Sequence, residues 1–269
     1  MRKVLRLAHL YPRLMNIYGD RGNIICLRRR CEARDIELAV EDLDVGDHLD
    51  PSGYDLIFMG GGQDREQRRI AEDLAVGKGE SLRKAAEDGV AMLAICGGYQ
   101  LFGRYYRTAA GDELPGAGVF DTWTVHPGEG ARRCIGDVAA RWEGGTLVGF
   151  ENHGGRTYLG AGAQPLARVE RGFGNNGEDG AEGAVYKNAY GTYLHGSLLP
   201  KNPRFTDHIL RIALGRRYGE VELPPLDDSV EDAAHAAALR VARRRSPPAR
   251  RPPDARRHVN EPSPRSGRP

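Results

Sequence analysis

Along the first hundred residues, apolar and polar positions fall into blocks whose period changes. Val4–Leu10 reads as a first strand, followed by a loop over Tyr11–Gly22 and a basic helix from about Asn23 to Arg34. Ile36–Glu41 is a second strand. Asp55–Met59 (DLIFM) is a short apolar run that stops at Gly60-Gly61-Gly62, the pattern of a buried parallel strand. A polar helical stretch, Asp64–Asp88, leads to a second such run, Val90–Ile95 (VAMLAI), which ends at Cys96-Gly97-Gly98. Strands alternating with helices predict an α/β fold with a mostly parallel central sheet flanked by helices.

After about Gly111 the pattern shifts to short strands separated by glycine turns. Thr146–Phe150, Pro165–Glu170 and the pair Ala184–Tyr186 and Gly191–Leu194 predict antiparallel additions in the second half. Pro203–Arg216 is a closing helix, with Phe205, Ile209, Ile212 and Ala213 on one face. This divides the chain into a main domain over 1–218, an extension over 219–239 and a segment over 240–269 dominated by Arg and Pro. With so few large apolar residues, that last segment is expected to be disordered.

Composition narrows the field only a little. The chain has 269 residues, 40% of them hydrophobic, enough for a substantial core, and its formal net charge of +2 gives no general case for nucleic acid. No signal peptide is apparent, since Arg6, His9 and Pro12 interrupt the first apolar stretch, and no run approaches the ~20 apolar residues that span a bilayer. The four cysteines, Cys26, Cys31, Cys96 and Cys134, fit neither a disulfide framework nor a CxxC metal site. A reduced, cytoplasmic protein with no metal of its own is the expectation.

Three motifs carry candidate chemistry. In Ala94–Leu101 (AICGGYQL) an apolar strand runs into a small-residue turn and then a helix-like segment, the geometry of a nucleophile elbow with a thiol at its apex, Cys96. A helix N-terminus immediately after it favours the thiolate. Gly60-Gly61-Gly62-Gln63-Asp64 follows the preceding strand. In an open parallel sheet that puts it on the same edge as Cys96, where the N–H groups of Gly61, Gly62 and Gly97 can face a developing oxyanion. A phosphate-binding role for this loop is weaker, because no GxxxxGK[ST] sequence supplies a Walker lysine. Finally, Gly191–Gly196 (GTYLHG) ends a strand at His195, the best candidate base among eight histidines. His153, in the polar block Glu151–Tyr158, is its competitor, and that block reads as lining or supporting the site.

Together these motifs resemble class I glutamine amidotransferases of the cobyric acid synthase branch, which are flavodoxin-like. The set MNIYGDRGNI, GGGQDREQ, ICGGYQ, GFENHGGRTY, GNN and YKNAYGTYLHG is most similar to the glutaminase subunits of lipid II isoglutaminyl synthases, from the N-terminus to about Tyr218. The resemblance implies Cys96 as nucleophile, His195 as general base, Arg133 as the arginine that binds substrate glutamine (with the adjacent Arg132 as alternative) and Gln100 as a substrate contact from the elbow helix. It also implies an ATP- and Mg-using, Mur-ligase-like partner that receives the ammonia and amidates the lipid II stem peptide near the inner face of the membrane, no cofactor in this chain, and a heterodimer. The wider class carries a glutamate two residues after the histidine. Here that position is Ser197, so the resemblance implies an acid supplied by the partner. An amidotransferase of corrinoid synthesis and a catalytically inactive scaffold are the alternatives.

Overall fold

A computed structural model describes residues 2–250. Its central sheet has the strand order β13-β14-β4-β3-β1-β2. Five of these strands run parallel: β1 (Lys3–Leu10), β2 (Ile36–Leu43), β3 (Leu56–Met59), β4 (Ala91–Ile95) and β14 (Ala189–Thr192), while β13 (Ala184–Tyr186) pairs antiparallel with β14. Every residue of β3 and β4 is buried, which is why neither shows an alternating pattern. Helices α1 (Arg21–Glu32), α2 (Asp64–Glu72), α3 (Gly79–Glu87) and α5 (Pro203–Tyr218) accompany the sheet, and a single π-type turn, Asp73–Lys78, joins α2 to α3. The long polar stretch read as one helix is therefore two helices with that turn between them.

The second half adds two four-stranded sheets. One has the order β10-β7-β5-β6, built from β5 (Tyr105–Arg107), β6 (Glu113–Pro115), β7 (Thr122–Val125) and β10 (Arg156–Leu159). The other, β12-β11-β8-β9, is antiparallel throughout and comprises β8 (Cys134–Trp142), β9 (Gly145–His153), β11 (Ala167–Arg171) and β12 (Ala181–Glu182). The sequence shows β9, β11 and β13 but gives no sign of β8. The Ala184–Leu194 pair does form a hairpin, yet its second strand inserts parallel to β4, with Thr192 opposite Ile95. This insertion completes the central sheet and carries His195 to the edge that holds Cys96.

The C-terminal boundary differs from expectation. Helix α6 (Ser229–Arg245) runs through residue 240, and the Gly172 N–H bonds the Pro247 carbonyl at 2.9 Å, so residues 240–249 are ordered against β8 and β11. Alanine-rich turns let α6 form and lie close to β8 without large apolar side chains. Its start is fixed by Arg30, a buried side chain on α1 that forms bidentate bonds with both Asp207 and Asp228 at 2.5–3.0 Å. The rest of the tail, 251–269, lies outside the described residues. No helix among the described residues is long and apolar enough to cross a membrane.

Candidate active site

Cys96 stands between β4 and α4 (Gly97–Phe102) with φ 50° and ψ −106°, a backbone conformation that costs a non-glycine residue about 1–3 kcal/mol. The surrounding chain enforces it. The Cys96 N–H bonds the Thr192 carbonyl at 2.8 Å, extending the β4–β14 ladder to the apex of the turn. A Cβ on Gly97 would lie 2.7 Å from the Gly62 carbonyl oxygen, and one on Gly98 would lie 2.7 Å from that of Gly60. Only glycines let the elbow pack this closely against the loop after β3. The elbow predicted from the sequence is present.

Cys96 opens onto a cavity of about 500 Å³. Gly62, Asp64, Gln67, Gln100, Arg133 and His153 are among its lining residues. Arg133 donates to the Asn152 side-chain oxygen at 3.1 Å and to its carbonyl at 3.2 Å, which holds the guanidinium at the rim. Arg132 instead stacks over Phe173 at 5.8 Å, so of the two arginines only Arg133 lines the cavity. The Gln100 amide is tied at both ends. It accepts from Gln67 at 3.0 Å and donates to the Tyr193 hydroxyl at 3.1 Å, leaving one amide proton and one lone pair for other use.

The glycine loop requires a correction. The Gly61 N–H, expected to face an oxyanion, donates at 2.7 Å to the carboxylate of Asp20, which is completely buried. Of the other two glycines, Gly62 lines the cavity and the Gly97 N–H faces the Cys96 sulfur. Asp20 comes from the turn that precedes α1, within the MNIYGDRGNI motif, which carries the resemblance without giving Asp20 a role. Its own carboxyl is pushed up to about 7 by burial, against the Gly61 bond. The Cys96 thiol is pushed up to about 12, first by burial and then by the negative charge of Asp20, with the Gly97 N–H and Arg133 opposing.

His195 is fully buried at the carboxyl edge of the sheet. Its backbone pairs with Phe150 of β9 and its ring meets the Phe150 ring edge-on at 5.7 Å. Burial, then the neighbouring His153 and Lys201, holds its imidazole down to about 4. Ser197, at the position where the wider class has its glutamate, donates to the Gly19 carbonyl at 2.8 Å instead. Among the described residues the histidines that line the cavity are His126 and His153, and His195 is not one of them. His153 is held in place. Its Nδ1 lies 2.8 Å from the Gly155 carbonyl, its ring stacks on Tyr193 at 3.6 Å, and burial holds it down to about 3. Cys96 directly follows β4 and His195 lies three residues beyond β14, the strand parallel to it, while His153 shares the cavity lining with Cys96. Among the described residues no group of three or more His, Cys, Asp or Glu could hold a metal ion.

The chain matches the model of the CobB/CobQ-like glutamine amidotransferase domain over residues 6–203. It is 41% identical to subunit GatD of the glutamine-hydrolysing lipid II isoglutaminyl synthase of Streptococcus pneumoniae, over 83% of this chain and 86% of that protein. It is also 41% identical to the same subunit from Staphylococcus aureus, over 89% of this chain and 97% of that protein. Among solved structures, a glutamine amidotransferase superposes with a TM-score of 0.52 at 17% identity, over 77% of this chain and 98% of the other, a likeness of fold. An elbow cysteine packed on a glycine loop, a histidine three residues beyond the neighbouring strand, and matches of this extent place the chain in the CobB/CobQ-like glutamine amidotransferase family.

Proposed function

We propose that this chain is the glutamine-hydrolysing subunit of a lipid II isoglutaminyl synthase, and that its ammonia goes to an ATP-dependent, Mur-ligase-like partner which amidates the D-glutamate of the stem peptide. The observation that carries the chemistry is the strained Cys96 elbow, set beside a cavity with Arg133 at its rim and with His195 just beyond the next strand. Arg133 binds the α-carboxylate of glutamine. Cys96 attacks the side-chain carboxamide carbon, and the Gly62 and Gly97 N–H groups take the oxyanion. The tetrahedral species collapses, His195 passes a proton to the leaving nitrogen, and ammonia departs. A water deprotonated by His195 then hydrolyses the γ-glutamyl thioester to glutamate.

The electrostatics give a reason for division of labour. Burial raises the Cys96 thiol and lowers the His195 imidazole, so both shifts oppose moving the proton from Cys96 to His195 in the isolated chain. A partner carboxylate placed against His195 raises the imidazole and weakens that opposition. ATP and Mg belong to the partner in this reading, and this chain holds no cofactor. The protein works in the cytoplasm, at the inner face of the membrane where lipid II is presented. Corrinoid synthesis shares the domain family, but the 41% identity favours the lipid II assignment. Glutamine hydrolysis is measured for the chain alone and for the chain co-purified with its partner. Release of ammonia by the complex, at least tenfold faster than by the chain alone, is expected. No release even from the complex makes this subunit a scaffold.

A further inference from the structure

Of the described residues that line the Cys96 cavity, Asp64 is the only carboxylate. It is the first residue of α2, one of two acidic residues in that helix's first turn. Its Oδ1 accepts the hydroxyl of Tyr106, in β5, at 2.9 Å. Among the described residues no cationic side chain forms an ion pair with it. A carboxylate left half-exposed in a cavity with one neutral partner has acceptor capacity to spare.

The turn between β9 and β10 places Asp64 relative to Arg133. A Cβ on Gly154 would collide with His126 and lie 3.2 Å from an Arg133 Nη. A Cβ on Gly155 would lie 2.8 Å from the Gln100 amide nitrogen and 3.4 Å from the Tyr106 ring. This two-glycine turn therefore brings the Arg133–His126 wall within reach of the Tyr106–Asp64 wall, and both walls act electrostatically on His126. The cavity lining thus carries a guanidinium, a carboxylate and the thiol of Cys96.

We propose that Asp64 receives the α-ammonium group of the substrate opposite Arg133, so that the cavity selects a zwitterionic amino acid over any other primary carboxamide. The proposal rests on the glutaminase reading and names the residue that makes the site specific. An uncompensated carboxylate in the cavity also disfavours analogues that lack the amine.

The test uses the full chain and reads protection of Cys96 from iodoacetamide. The ligands are L-glutamine, glutaramate (glutamine without its α-amine) and L-glutaminamide (glutamine without its α-carboxylate). The native chain should need roughly 10- to 100-fold more glutaramate than glutamine for half protection, as loss of a charged hydrogen bond implies. Asp64→Asn should raise the glutamine requirement by a similar factor and leave that for glutaramate within about 3-fold, so the two converge. Asp64→Asn should still penalise L-glutaminamide, which reads Arg133. Asp64→Ser repeats the measurement with a different side chain. Alkylation rates without ligand within about 2-fold of the native chain show that each variant is folded. A native ratio of glutamine to glutaramate in both variants overturns the proposal and leaves the glutaminase reading standing. Failure of glutamine to protect the native chain overturns both.

Discussion

At the scale of single residues, the site is governed by how burial sets the charge of two groups, Cys96 and Asp20. The Cys96 thiol at about 12 is almost wholly protonated near neutrality, so the isolated chain should react slowly with iodoacetamide and about tenfold faster per pH unit between 7 and 9. A pH-independent rate would mean that an activated thiolate already exists. Asp20 contributes to that suppression, because its negative charge disfavours a second one on sulfur. Asp20→Asn keeps an acceptor for the Gly61 N–H but removes the charge. At pH 8, where the native carboxyl at about 7 is ionised, the variant should alkylate roughly 3- to 10-fold faster. An unchanged rate would show that Asp20 acts only on the loop's shape.

At the scale of elements, the elbow depends on strands and glycines that touch. Gly98→Ala puts a Cβ 2.7 Å from the Gly60 carbonyl, backbone against backbone, so the loop and the elbow must separate. Loss of glutamine hydrolysis with a fall in melting temperature is expected, and native values for both would show that the contact is loose. These elements were legible in the sequence because β3 and β4 are unbroken apolar runs punctuated by glycine. Strand β8 was not legible, since its apolar positions are broken by Gly136, Asp137 and Arg141 and its pairing partner β9 decides its state. Asp20 was illegible for a related reason. Its bond to Gly61 spans 41 residues, and nothing local in the turn before α1 announces it. Arg133 came from family resemblance alone, and the geometry then separated it from Arg132. Helix α6 was partly hidden because alanine, which favours helix, carries no apolar stripe. Its anchor is testable. Arg30→Ala leaves Asp228 without its cation and Asp207 with Arg34 alone, and should cost about 1.5–3 kcal/mol in urea unfolding. A loss under 1 kcal/mol would show that the helix is held elsewhere.

At the scale of the whole molecule, the site's buried acids should shape stability against pH. Burial pushes Asp20 and Glu182 up to about 7 and Glu151 up to about 8. A raised carboxyl binds its proton more tightly in the folded chain, so stability falls as pH rises from the ordinary value near 4 to the folded value. His153 and His195 are lowered, to about 3 and 4, so below about pH 6.5 the folded chain binds fewer imidazole protons and their contribution rises with pH. Above that point both histidines are neutral in either state, and only the carboxyls act. The melting temperature should therefore drop between pH 6.5 and 8, and Glu151→Gln should shrink the drop. A flat profile would mean that these acids are not buried as described. The central claim, that Cys96 is the nucleophile of a glutaminase, is tested most directly by ammonia release from glutamine by the co-purified complex, native against Cys96→Ala. The account predicts that the variant folds, still binds its partner and releases no ammonia above background. Undiminished release by the variant would contradict it.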